Sequence, residues 1–131
     1  EAGEAAHVGG DPVILGAPNV VRGGSHKGNV SALEMVAMGY CTALASDYHY
    51  PSMRRAAFLL ADGGVMELAE AWALISSGPA GVLGLDDRGV LQPGKRADLI
   101  VMEPATRRIC ATMSQGRFSY LSGEVAARFM G

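Results

Sequence analysis

Residues 12–31 read PVILGAPNVVRGGSHKGNVS and residues 44–51 read LASDYHYP, and these two stretches decide the predicted fold. In each, a short apolar run leads into a polar segment, and a helical pattern follows. The apolar runs at 13–15 and 43–45 predict two strands that alternate with helices, which is typical of a parallel sheet. Ligands and catalytic groups collect where parallel strands end. We therefore expect residues 22–29 and Asp47 to share one edge of the sheet.

The first polar segment is suited to binding an anion. It combines positive charge and hydrogen-bonding side chains with glycines that permit close backbone approach. The candidate substrate-binding residues are Arg22, Gly24, Ser25, His26, Lys27 and Asn29. The spacing matches neither a Walker loop nor a GxGxxG dinucleotide fingerprint. A tight glycine turn with solvated charges accounts for the same pattern equally well.

Asp47 is the candidate catalytic residue and metal ligand at the second strand end. A carboxylate there can bind a metal ion or accept a proton from metal-bound water. It can also cap the next helix or form a salt bridge, and these outcomes are the commoner ones. Tyr48, His49 and Tyr50 follow on the same edge, where they would either line a pocket or pack into the interior.

Four segments resemble a known family. They are GAPNVVRGGSHKGNVSALE (16–34), ALASDY (43–48), AAFLLAD (56–62) and GLDDRGVLQPGKRADLIVM (84–102). Together they resemble the carboxyl-terminal part of an amidohydrolase-superfamily enzyme. More narrowly, they are similar to the PhnM family of the carbon-phosphorus lyase pathway, the alpha-D-ribose 1-methylphosphonate 5-triphosphate diphosphatases. The GGSH segment is specific to that family, whereas PGKRADLIV is shared by many amidohydrolases.

The resemblance implies an α/β fold. Residues 1–80 would form the last βα units of a TIM-like (β/α) barrel, with two parallel strands and their helices. Residues 81–131 would form a small β-rich lobe with a closing helix. A barrel of this type needs about 250 residues, and this chain has 131. It is therefore expected to be a piece of a longer enzyme.

The resemblance also implies a metal-dependent hydrolase that releases pyrophosphate from the triphosphate of a ribose phosphonate. Asp47 matches the superfamily aspartate that binds the metal and accepts the proton of the attacking water. The GGSH segment matches a region near the substrate phosphates. The implied cofactor is a divalent metal, expected to be zinc. The other expected ligands, including a His-x-His pair, are missing from this sequence, so the chain alone is expected to be inactive and to hold no tight metal site.

Two alternatives stay open at this point. The first is another amidohydrolase activity, that of a cyclic-amide hydrolase or a deaminase, in which the GGSH segment serves a different anion. The second is a catalytically inactive fragment whose exposed strands pair with a second copy or with the missing amino-terminal part.

Composition and charge limit the classes of partner that this chain is expected to bind. The chain is 49% hydrophobic and 18% charged, which is typical of a globular protein. Its net charge of −2 argues against a general nucleic-acid binder. The longest apolar run, 56–61, is shorter than the roughly 20 residues that span a bilayer, so we expect no membrane partner. The expected partners are a phosphorylated small molecule and a second copy or the missing part. Cys41 and Cys110 are predicted to be free thiols of a reducing cytoplasm.

The remaining pattern predicts local elements. Ser31 and Glu34 have the spacing of a capping box, so a helix should begin near Ala32 and stop at Gly39. A helix over 51–62 should follow Pro51, and another is predicted over 66–77, broken by Gly78-Pro79. Strands near 97–102, 108–113 and 117–121 are predicted in the lobe, the last two joined by a tight hairpin. Lys95, Arg96 and Asp98 are expected to be structural.

Overall fold

The computed structural model describes residues 1–22 and 31–130 and divides the chain into two compact units, Glu1–Leu85 and Asp86–Gly131. The predicted α/β class is confirmed, with one parallel and one antiparallel sheet. The sequence predicted that the boundary between the two parts would fall after residue 80, five residues before the observed one. The assignment of the first part to a barrel stays a prediction.

Short helices surround a parallel pair of strands in the first unit. The helices are α1 (Ala2–Val8), α2 (Ala17–Arg22), α3 (Ala32–Ala37), α4 (Pro51–Asp62), α5 (Leu68–Ala73) and α6 (Ser77–Val82), and the strands are β1 (Ile14–Gly16) and β2 (Ala43–Ala45). Ile14 lies opposite Ala43, and Gly16 lies opposite Ala45 in parallel register. The two strand ends therefore meet at one edge, as the sequence predicts.

The core of this unit lies between β2 and the helices. Val20 of α2, Val36 of α3 and Leu60 of α4 are its largest fully buried side chains. Leu44 of β2 joins them in the same cluster. Burying side chains of this size stabilises the fold by about 1.5–3 kcal/mol each, so these residues hold α2 and α4 against the strand pair.

The capping box at the start of α3 is confirmed. The Ser31 hydroxyl accepts a hydrogen bond from the Glu34 amide at 3.1 Å, and the Glu34 carboxylate accepts one from the Ser31 amide at 2.9 Å. The helix is followed by Gly39 at φ +78°, a conformation that glycine adopts without a Cβ clash.

The segment after β1 differs from the prediction. The strand at 13–15 was predicted to lead straight into a polar segment with no helix between them, but Ala17–Arg22 form α2. Ala17 and Val20 are fully buried on the core side of this helix, and Pro18 suits its first turn, where no intrahelical acceptor is lost. Arg22 is therefore the last residue of a helix.

The predicted helix over 66–77 is also wrong in its extent. It ends at Ala73, and α6 starts at Ser77 with Gly78 and Pro79 inside its first turn. The Leu44 amide of β2 donates a hydrogen bond to the Leu74 carbonyl at 2.8 Å, which ties the segment between the helices to the strand. A Cβ on Gly78 would overlap the carbonyl oxygen of Thr42. Contacts with β2 and with Thr42 directly before it therefore determine where the helix is interrupted between α5 and α6.

The second unit is an antiparallel sheet with a helix. Its elements are β3 (Leu99–Met102), β4 (Ile109–Ser114), β5 (Arg117–Leu121) and α7 (Gly123–Met130), with strand order β3-β4-β5. Gln115 and Gly116 connect β4 to β5 with φ of +52° and +77°. Two positive φ values are typical of a type I′ hairpin turn, and the predicted hairpin is confirmed.

No helix within residues 1–22 and 31–130 has the length and apolar character needed to cross a membrane.

Candidate functional site

Asp47 lies at the carboxyl end of the parallel strand pair. It follows the last residue of β2 by two positions and is exposed. A Cβ added to Gly16, the last residue of β1, would stand 3.8 Å from Asp47 Oδ2 and 3.2 Å from Asn19 Nδ2. The strand register therefore brings the carboxylate of Asp47 and the amide of Asn19 to the same edge of the sheet.

A tight turn presents the Asp47 carboxylate. The His49 amide donates to the Ser46 carbonyl at 2.9 Å, with Asp47 and Tyr48 as the two central residues. Their φ values are +48° and +65°. Non-glycine residues in this region cost of order 1–3 kcal/mol each, and such residues cluster at functional sites. The surrounding fold therefore has to hold this turn in place.

The predicted substrate-binding residues are only partly described. Arg22 is exposed at the end of α2, which starts directly after β1. Six residues of helix extend about 9 Å, so the Arg22 backbone lies roughly that far from the strand end. The other candidates lie outside the described residues: Gly24, Ser25, His26, Lys27 and Asn29. Their role stays a prediction.

The residues after Asp47 do not pack into the interior. Tyr48 and Tyr50 are 97% and 81% exposed, and His49 is also exposed. Of the two alternatives for this segment, burial in the core of the described chain is wrong. Exposure at the strand edge leaves these rings able to contact a ligand or another part of the protein.

Asn19 was not singled out from the sequence. It lies three residues beyond β1, on the outer side of α2, and its side chain is exposed. The signal that could have found it is the apolar spacing of Ala17, Val20 and Val21, which marks a helix starting at the strand end and leaves Asn19 facing outward.

The described residues supply one carboxylate at this edge and do not complete a metal site. In the part of the chain that the structure describes, no group of three or more His, Cys, Asp or Glu side chains could hold a metal ion. Carboxylate oxygen is a normal ligand of zinc and of harder divalent ions. Asp47 is therefore suited to contribute a single ligand, and further ligands would have to come from elsewhere.

The polar residues of the second unit hold its hairpin. Arg96 Nε pairs with Asp98 Oδ2 at 2.7 Å, and Asp98 Oδ1 accepts a hydrogen bond from the Gln115 amide at 2.8 Å. The Gln115 amide, and secondarily Arg96, hold the pKa of the Asp98 carboxyl below its usual value. Lys95 Nζ donates to the Asp86 carbonyl. These contacts support the structural role that was expected for Lys95, Arg96 and Asp98.

Neither cysteine forms a disulfide. Cys41 and Cys110 are free and partly buried, as predicted. Burial raises the pKa of the Cys41 thiol to about 11. Because the thiolate is the reactive form, Cys41 is a packing residue and not a nucleophile at neutral pH.

Comparison with known proteins finds two similarities. The family described as amidohydrolase family matches residues 27–125 of this chain. The alpha-D-ribose 1-methylphosphonate 5-triphosphate diphosphatase of Escherichia coli strain K12 is 48% identical over 103 residues, which covers 77% of this chain and 27% of that protein. The chain thus spans little more than a quarter of the length of the curated relative that it matches.

Proposed function

The chain belongs to the amidohydrolase family, and from that premise we propose that it forms part of a metal-dependent hydrolase of phosphonate metabolism. The proposed reaction is hydrolysis of the 5-triphosphate of a ribose phosphonate with release of pyrophosphate. The chain is 48% identical to a diphosphatase with this substrate in its name, which supports the proposal that a bond within the triphosphate is hydrolysed.

The observation that carries the proposal is the placement of Asp47. Its carboxylate stands at the carboxyl end of two parallel strands, close to Gly16 of β1 and on the same edge as the Asn19 side-chain amide. Ligand and catalytic groups of α/β enzymes are concentrated at this end of the strands. An exposed carboxylate at this position is suited to accept a proton from a water molecule.

In the proposed reaction the oxygen of a water molecule bonds to a phosphorus atom of the triphosphate. The bridging P–O bond breaks, and pyrophosphate leaves with its electron pair. The carboxylate of Asp47 takes the proton of the attacking water. The cationic side chains of Arg22 and Lys27 would offset the negative charge on the phosphate oxygens.

Asp47 would also contribute one ligand to a divalent metal, which we propose to be zinc. Such an ion, when bound, lowers the pKa of a coordinated water and polarises a phosphoryl oxygen. A cytoplasmic location is part of the same proposal, since free thiols such as Cys41 and Cys110 persist in a reducing compartment.

An assay of the full-length protein with added zinc tests the substrate class. Phosphorus NMR should show pyrophosphate appearing from alpha-D-ribose 1-methylphosphonate 5-triphosphate, with no turnover of cyclic amides or of amino-substituted nucleobases. Hydrolysis of a C–N bond is also compatible with membership of the amidohydrolase family. Turnover of one of those compounds without pyrophosphate release would replace the proposed reaction with a cyclic-amide hydrolase or deaminase activity.

Self-association of the chain is a separate proposal. The two-stranded parallel sheet is smaller than parallel sheets usually are, which supports pairing with further strands. Equilibrium sedimentation of the 131-residue chain should show oligomers. A monodisperse monomer across the concentration range would contradict self-association.

A further inference from the structure

We propose that Ser52 is a positioning residue for Asp47, because its buried hydroxyl holds the turn that presents the carboxylate. The inference rests on the proposed function, in which Asp47 accepts a proton. It adds a residue that does not touch the substrate and acts through the backbone of residues 46–49.

The turn needs such support. Both of its central residues, Asp47 and Tyr48, have positive φ, whereas turns of this type are usually built from Asn-Gly or Gly-Gly. A single hydrogen bond closes the turn, from the His49 amide to the Ser46 carbonyl at 2.9 Å. Asp47 and Tyr48 are exposed, so burial of their own side chains does not hold the turn.

Ser52 contacts both ends of the turn. It lies in the first turn of α4 and is 2% exposed. Its hydroxyl donates to the His49 carbonyl at 2.5 Å and lies 3.4 Å from the Ser46 carbonyl. The Ser52 amide donates to the same His49 carbonyl at 3.0 Å. Helix α4 is anchored in the core by Leu60, and its first turn is thereby bonded to the backbone on either side of Asp47.

A purely local role at the start of the helix is the competing explanation. Under that explanation, loss of the hydroxyl weakens α4 and lowers the global stability of the protein, and the geometry of residues 46–49 is unaffected. The two explanations differ in which amide becomes exposed and in whether relief of the turn strain restores activity.

The first experiment compares Ser52→Ala with Ser76→Ala in the full-length protein. Ser76 is a matched control, since its hydroxyl also donates to a backbone carbonyl, that of Trp72 at 2.8 Å, and it lies before α6. Ser52→Ala leaves the His49 carbonyl paired with the Ser52 amide, so we expect the variant to fold. Its kcat for pyrophosphate release should fall about tenfold with KM changed less than about twofold, whereas Ser76→Ala keeps the wild-type kcat. Wild-type kcat in Ser52→Ala would overturn the proposal.

The second experiment tests rescue. Glycine adopts positive φ without a Cβ clash, so Tyr48→Gly should make the turn less dependent on Ser52. We expect Ser52→Ala to lower kcat about tenfold in the wild-type background and less than about threefold in the Tyr48→Gly background. An equal loss in both backgrounds would show that Ser52 acts without supporting the turn.

The third experiment does not depend on activity. Hydrogen exchange of the His49 amide reports opening of the turn, and exchange of the Leu60 amide in α4 reports global unfolding. Ser52→Ala should speed exchange at His49 by about tenfold and at Leu60 by no more than that, because the lost hydrogen bond stabilises the folded state against both openings. Under the competing explanation exchange would speed up at Leu60 and stay unchanged at His49. Unchanged exchange at His49 would overturn the positioning role. Full activity of Asp47→Asn would instead overturn the proposed function and leave the exchange result standing.

Discussion

The Asp47 carboxylate lies beside Gly16 at the end of the neighbouring strand: a Cβ added to Gly16 would stand 3.8 Å from Asp47 Oδ2. The parallel register sets this relationship, because Gly16 pairs with Ala45, two residues before Asp47. Position 16 carries no side chain, and Asn19 Nδ2 lies 3.2 Å from the point where a Cβ would stand.

Gly16→Ala should impair activity without unfolding the protein. The φ of Gly16 is outside the left-handed region, so alanine meets no backbone penalty, but its Cβ would press on Asn19 Nδ2 at 3.2 Å. We expect stability to change by less than about 1 kcal/mol and pyrophosphate release to fall about tenfold.

The control for this variant is Gly81→Ala, on an exposed position of α6 where a Cβ meets no atom within 4 Å. It should release pyrophosphate at the wild-type rate. Full activity in Gly16→Ala would mean that the close approach of Asn19 and Asp47 to Gly16 is not needed for the reaction.

Gly78→Ala should destabilise the first unit. A Cβ there would overlap the Thr42 carbonyl oxygen and stand 3.0 Å from the Ala73 carbonyl oxygen, so backbone has to move. Overpacking of this kind costs about 1–3 kcal/mol. Urea unfolding followed by Trp72 fluorescence measures the change. In the same helix Gly81→Ala should be neutral or stabilising by up to about 1 kcal/mol, and equal stability of the two variants would contradict the close approach.

Asp98 should make the hairpin of the second unit sensitive to acid. Its pKa is lowered by the Gln115 amide and by Arg96, so it stabilises the folded state above the unfolded-state pKa of about 3.9 and loses this contribution as pH falls. Asp98→Asn should therefore destabilise the hairpin more at pH 7 than at pH 3.

Urea unfolding of the β4–β5 hairpin by NMR at the two pH values measures this difference. Asp86→Asn removes an exposed carboxylate of the same unit that is not bonded to the hairpin turn, and it should leave the hairpin unchanged at both. A destabilisation by Asp98→Asn that is as large at pH 3 as at pH 7 would show that the carboxylate charge is not involved.

Local chemistry predicted the elements that depend on neighbours in sequence. The capping box of Ser31 and Glu34 and the hairpin turn at Gln115 and Gly116 are fixed by interactions within a few residues. The parallel pair followed from alternating strand and helix patterns. Sequence could therefore place Asp47 at a strand end.

Elements set by tertiary contact were not predictable in the same way. The helix break after Ala73 depends on the bond between Leu44 and Leu74 and on the approach of Gly78 to Thr42, which no local pattern reveals. Ser52 was missed for a related reason. Its spacing is that of an ordinary helix start, and only the backbone geometry shows its hydroxyl directed at the turn.

The role of Asp47 as the proton acceptor is tested by measuring pyrophosphate release by Asp47→Asn in the full-length protein. Asp11→Asn is the matched control, an exposed aspartate before β1 at the opposite end of the strand pair. We expect a loss of about a thousandfold for Asp47→Asn, within the range for removal of a general base, and wild-type turnover for Asp11→Asn. Wild-type turnover in Asp47→Asn would contradict this role.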